Sequence, residues 1–136
     1  MKIAVFSFAA AIAFAVPAFA ADDLCYKIET AALQGENAEI DALIAKGANV
    51  NCQFDDGWTS LMHAVYGKKV DTVKHLLAKG ADANQKRKDG VTALAMAKAG
   101  QIIGMGSGEV KLYADIEAAL RAAGASDVVA DAGGTK

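Results

Sequence analysis

The sequence predicts an all-α repeat solenoid, in which helix–turn–helix pairs stack side by side and short β-hairpin fingers join them. Two echoes carry this. Gly47-Ala48-Asn49-Val50-Asn51 returns as Gly80-Ala81-Asp82-Ala83-Asn84 at an offset of 33 residues, and Gly57-Trp58-Thr59-Ser60-Leu61 returns as Gly90-Val91-Thr92-Ala93-Leu94 at the same offset. Between these anchors apolar residues recur at helical spacing and each run stops at a glycine, the pattern of short amphipathic helices ended by left-handed caps. Self-similarity at this period marks units that bury their apolar faces only by stacking on neighbours.

The first twenty residues stand apart. Met1-Lys2, the apolar run Ile3 to Val16, Pro17 and the triplet Ala18-Phe19-Ala20 have the layout of a secretory signal peptide, with cleavage expected after Ala20. The run is shorter than the roughly 18 residues of a spanning helix, and no Cys follows Ala20 directly to take a lipid. The expectation is an exported soluble protein without a membrane span after cleavage, most naturally in a Gram-negative periplasm; a secreted eukaryotic origin stays open. The mature chain, 21 to 136, has 116 residues, enough for one small repeat domain over 21–125.

Repeat one, about 22–53, is abbreviated: Tyr26 stands at the Thr59 position, Ile28 at that of Leu61, and Ala31-Ala32 at that of Ala64-Val65, while the opening hairpin is missing. Its second helix points Ile40, Leu43 and Ile44 inward and stops at Gly47, so the unit reads as an N-terminal cap. Repeat two, about 54–86, is complete. A turn at Asp55-Asp56-Gly57 opens it, Thr59 caps a helix that buries Leu61, Ala64 and Val65, and Gly67-Lys68-Lys69 breaks to a second helix with Val70, Val73, Leu76 and Leu77 on one stripe. Repeat three, about 87–125, starts in register, but Gly124-Ala125 arrives 44 residues after Gly80-Ala81 instead of 33. The extra 11 residues fall at about 101–110, where Gly104, Gly106 and Gly108 predict a flexible elbow. The closing helix resumes near Glu109 with Leu112, Ile116 and Leu120 inward, and the tail from 126 to 136 has too little apolar content to pack.

The 33-residue period with its T-x-L and G-A-[DN]-x-N signatures resembles the ankyrin repeat. In that register Cys25 is equivalent to Trp58 at the start of a repeat, and Cys52 lies in the connection to the next. Adjacent repeats place such segments side by side, and export makes a disulfide between them the expectation over two idle thiols. The resemblance also implies a binding surface made of hairpin tips and the exposed side of the first helices. On matching positions this gives Asp55, Asp56, Trp58 and Tyr66 in repeat two and Lys88, Asp89 and Val91 in repeat three, with Leu33 and Gln34 continuing it into repeat one. Trp58, the single Trp, serves either as a contact anchor or as a cover for the Cys25 and Cys52 region. Ile102, Ile103 and Met105 on the elbow either cap the last repeat or meet a partner.

Charge and motif content narrow the classes. Without Lys2 the 14 Lys and Arg become 13 against 16 Asp and Glu, a formal charge of −3, which leaves no basic footprint for nucleic acid. His63 and His75, the two histidines, fall among packing residues with no surrounding ligand cluster, so no metal or cofactor is expected. No G-x-S-x-G, H-E-x-x-H, C-x-x-C or P-loop occurs, Gly104-Met105-Gly106-Ser107-Gly108 lacks the strand and Lys of a phosphate loop, and Asp55-Asp56 lacks the further ligands of a calcium loop. The expected function is therefore non-enzymatic: a periplasmic protein-binding module, monomeric when free. It would bind and inhibit, or protect against, an enzyme of its compartment such as a cell-wall peptidase. A partner supporting an oxidative-stress enzyme such as catalase, and a cysteine-based redox or metal-linked protein, are the alternatives.

Overall fold

The computed structural model describes residues 19–54, 56–105 and 108–127. The proposed signal run before residue 19, Asp55, Gly106, Ser107 and the tail from 128 lie outside these residues. Among the described residues six helices form three pairs: α1 (Phe19–Gln34) with α2 (Asn37–Ala45), α3 (Ser60–Tyr66) with α4 (Val70–Ala78), and α5 (Ala93–Ile103) with α6 (Val110–Ala122). The first helices stack in the order α1, α3, α5, and α4 packs on α6. Among the described residues no helix is long and apolar enough to cross a membrane.

Each part of the echo has a structural job. The Gly of G-A-[DN]-x-N takes a left-handed conformation after the second helix of repeats one and two, with φ of 101° at Gly47 and 93° at Gly80, and Gly124, which opens Gly-Ala-Ser in repeat three, does the same at 92°. The following alanine N–H then reaches back to the helix, Ala48 to Leu43 O, Ala81 to Leu76 O and Ala125 to Leu120 O, which satisfies carbonyls the helix end would orphan. The first polar residue closes a local turn: Asn51 N–H donates to Asn49 Oδ1, and Asn84 N–H to Asp82 Oδ1. The last Asn staples one repeat to the next. Asn51 Nδ2 donates to Gly80 O and Asn51 Oδ1 accepts from Asp82 N–H; Asn84 repeats both bonds with Gly124 O and Ser126 N–H.

The T-x-L element starts the inner helices. Thr59 Oγ1 accepts the Met62 N–H and Thr92 Oγ1 the Ala95 N–H, each from an extended N-cap. Leu61, Ala64, Val65, Val73, Leu76, Leu94 and Ala97 then form one core continuous with Ile28, Ala31, Ala32, Ile40 and Leu43. The fingers are short, each a single antiparallel bridge: Phe54 with Trp58 around Gly57, and Lys86 with Thr92 around Gly90. They touch through Lys88 N–H, which donates to Asp56 O at 3.1 Å.

The break after α3 works through two residues with different tasks. Lys68 carries the left-handed conformation at φ 58°, where its equivalent in repeat one is Gly35 at φ 82°. Gly67 instead allows close approach, because a Cβ there would lie 2.5 Å from the Leu33 carbonyl oxygen at the end of α1. Gly67→Ala must push α1 and α3 apart and is expected to destabilise the fold by about 2 kcal/mol. A lower urea midpoint with an unchanged slope would report it.

Repeat three departs from three expectations. The position equivalent to Lys68 is Gln101, which stays helical, so α5 runs on to Ile103 and takes up the first three residues of the insert that was expected to be a flexible elbow. Gln101 Nε2 donates to Glu117 of α6, and Lys68 pairs with Glu109 at 2.6 Å, tying the elbow to both helix layers. Leu112 does not face inward. It is 39% exposed, because the buried Ile116 and Leu120 set a stripe whose first member is Tyr113, packed over Gly100. Finally, the ordered path continues past 125: Ser126 joins Asn84, and Asp127 pairs with Lys98 and Arg121, each at 2.8 Å.

Candidate protein-binding surface

Trp58 is the hub of the expected surface. It sits at the base of the first finger, directly before the Thr59 cap, so the bridge to Phe54 and the start of α3 fix its backbone on both sides. Its ring meets His63 at 5.0 Å and stands edge-on to Tyr66 at 6.0 Å, with the ring planes at 88°. The guanidinium of Arg87, from the second finger, lies 4.7 Å over the Trp58 ring, near enough for a cation–π contact. Trp58 is thereby half-buried and locked by its neighbours, while Tyr66, one helix turn beyond His63, projects with 64% of its surface exposed. These ring contacts run to α3 and the next finger.

Charges frame the aromatic row. Arg87 and Asp89 form a side-chain ion pair, which holds the Asp89 carboxyl at about 2 and raises Arg87 further. Asp89 also accepts the Val91 N–H, so the finger presents one rigid dipole. Asp56, Trp58, Arg87, Lys88 and Asp89 line a shallow recess of about 240 Å³ between the two fingertips. Asp56, Lys88 and Asp89 are exposed around it and Val91 is half-buried.

The other expected positions are dispersed. Leu33, the repeat-one equivalent of Tyr66, is half-buried; Gln34 turns to a separate recess with Lys68, Lys69 and Leu112. Ile102, Ile103 and Met105 do not cap the last repeat, being 71%, 84% and 78% exposed at the end of α5. Ile102 instead borders a groove of about 610 Å³ at the open end of the stack, whose floor includes Thr92, Leu94, Ala95 and Ala99 and whose rim carries Lys86, Lys98 and Asp127. In the register, Ala95 and Lys98 stand where repeat two has the buried Met62 and Val65, which explains both the groove and its polar rim. Cys25 and Cys52 are joined in a disulfide, with their Cα atoms 6.0 Å apart, fastening α1 to the connection before the first finger.

Two participants were not read from the sequence as site residues, Arg87 and His63. Arg87 holds the register position of Phe54, so its place at the base of the second finger was available from the period, though its stacking on Trp58 was not. His63 was read as packing; burial lowers its pKa from the ordinary 6.5, with its Nδ1 held 3.0 Å from the Thr59 carbonyl oxygen. A histidine with a lowered folded-state value favours the fold above its ordinary pKa and withdraws that support as pH falls through about 6.5 towards the lower folded-state value. The stability difference between wild type and His63→Phe is therefore expected to shift against the wild type between pH 7.5 and pH 5. Urea unfolding at the two pH values measures it.

His75 lies apart on α4, in an ion pair with Asp41 at 2.8 Å. The surface is thus rigid, half aromatic and edged with alternating charge, an arrangement suited to a protein face. No curated protein matches the chain. A family model of ankyrin repeats in three copies matches residues 28–103, which takes in α1 from its third turn, the aromatic row, both fingers and α5. By that match, and by the stapled helix pairs that underlie it, the chain belongs to the ankyrin-repeat family.

Proposed function

We propose that this protein is an exported, periplasmic binding module whose aromatic row docks on an enzyme of the same compartment and blocks it, or shields the cell from it. Ankyrin repeats are protein-interaction modules, and the finer reading rests on one observation above the rest. Tyr66 stands exposed against a Trp58 that is itself immobilised by Arg87 and His63. A rigid aromatic pair gives large contact area at little loss of side-chain freedom, which is the economical way for a small surface to hold a partner tightly. The paired Arg87 and Asp89, with Asp56 and Lys88 beside them, would set orientation. Export is supported by the signal-like first twenty residues and by a disulfide, which persists in oxidising compartments.

A cell-wall peptidase fits as target, since a compartment that holds such an enzyme needs a means of restraining it. Purified residues 21–136 serve as bait in periplasmic extract of the producing cell, and the captured enzyme is assayed with increasing bait. Loss of hydrolysis that saturates at one bait per enzyme supports inhibition. Unchanged hydrolysis at saturation contradicts it, and slower inactivation of a captured catalase under oxidant would favour the supporting role instead.

A further inference from the structure

Behind the disulfide lies a carboxylate that repeat packing does not call for. Glu29 is one helical turn after Cys25 on α1 and is only 6% exposed; its equivalents in the next two repeats are Met62, buried in the core, and Ala95. Its Oε1 is 3.7 Å from Cys25 Sγ, and the ligand atoms of Cys25, Glu29 and Cys52 all lie within 4.8 Å of one another. Cys25 is 5% exposed, while Cys52 is half-buried and gives the corner its opening to solvent. Two sulfurs and a carboxylate this close together form a donor set within reach of a single ion.

We infer that reduction of the Cys25–Cys52 disulfide converts this corner into a site for a thiophilic divalent cation, of which Zn2+ is the type, held by two thiolates and the Glu29 carboxylate. A dithiol reductant supplies two electrons and two protons: its own sulfurs join in a disulfide, the Cys25–Cys52 bond breaks, and two thiols form. The cation then displaces one proton from each thiol to solvent, forming two metal–sulfur bonds and one metal–oxygen bond to Glu29, with water in the fourth place. Zinc–thiolate bonds of about 2.3 Å and a zinc–carboxylate bond of about 2.1 Å require the three donors to stand about 3.7 Å apart. Rotation of the freed cysteine side chains reaches that spacing within the present cluster. Sulfur ligands select zinc over calcium or magnesium. The three donor charges, −3 when ionised, fall to −1 with the +2 ion bound, so metal binding takes the place of the two thiol protons and strengthens as pH rises. The bound ion would bridge α1 and the 49–52 connection where the disulfide did, so the first repeat stays fastened after reduction.

The test uses the full mature chain, reduced with a phosphine under inert gas and titrated with Co2+ as a spectroscopic stand-in, then with Zn2+. The expected result is one Co2+ per chain with a thiolate-to-metal charge-transfer band, displaced by Zn2+, and none with the oxidised protein. Glu29→Gln, checked for native far-UV dichroism, should bind at least tenfold more weakly; Cys52→Ser should lose the band. Zn2+ should also raise the melting temperature of the reduced wild type and leave Cys52→Ser unmoved. Absence of the band in reduced, folded wild type would overturn the site, and equal affinity in Glu29→Gln would remove Glu29 from it.

Discussion

Trp58→Ala is expected to weaken partner binding by about thirtyfold or more, the effect of losing a central aromatic anchor worth about 2 kcal/mol or more. The size follows from what the ring organises. Removing it takes away the contact surface itself, the wall that holds Tyr66 upright, and the seat of the Arg87 guanidinium, whose pairing with Asp89 orders the second fingertip. Tyr66→Ala removes exposed area alone and should cost less. Trp58→Phe keeps a ring edge for Tyr66 and should recover part of the loss. Because Trp58 also packs on His63, its variants need a folding check, and a melting temperature within a few degrees of wild type separates lost contact from lost fold. Titration calorimetry or surface binding with the captured partner gives the ratios.

Opening the disulfide is expected to have the largest effect on stability. Cys25 and Cys52 are 27 positions apart, and closing a loop of that length stabilises by about 3.5 kcal/mol through the unfolded state. That is a large share of the roughly 5–15 kcal/mol that holds a typical domain together. The loss should be concentrated in repeat one. It has no opening finger to pair with its neighbour; this bond holds α1 to the 49–52 connection, and the links to repeat two include the α1 packing on α3, the Asn51 staple to Gly80 and Asp82, the Thr72 hydroxyl donating to Asn37 and the His75 contact with Asp41. Cys25→Ser/Cys52→Ser should therefore lower the urea midpoint and raise hydrogen exchange first in 21–52, with α5 and α6 following only at global unfolding. Uniform exchange across all six helices would contradict this division.

Much of this architecture was legible because the period is written in residues with single tasks. Asn51 and Asn84 recur since each bridges two repeats, and Thr59 and Thr92 recur since each caps a helix; such roles leave little choice of side chain. Inward stripes were legible for the same reason in α2, α3 and α4. Where repeat three breaks the period, local signals conflicted. The glycines at 104 and 108 argued for an elbow, but helix end is decided where the backbone must turn left-handed, and Gln101 does not turn where Gly35 and Lys68 do. Leu112 was placed inward because it lies four residues before Ile116, yet the geometry at the start of α6 favours Tyr113, which fits into the space left by Gly100. The surface was less legible than the fold. Trp58 and Tyr66 stood out by type and register, whereas the Arg87 stacking and the burial of Glu29 arise from contacts between segments that no local pattern displays.

The central claim is that the row formed by Trp58 and Tyr66 is the face that touches the partner. Site-specific photo-crosslinking tests it most directly, with a photoreactive phenylalanine analogue placed at Tyr66 or at exposed Lys74 on α4, and the protein produced in its native compartment before irradiation. The account predicts a defined covalent adduct from position 66, suppressed by Trp58→Ala, and none from position 74. An adduct from position 74 with position 66 silent would place the interface on the other side of the repeats and contradict it.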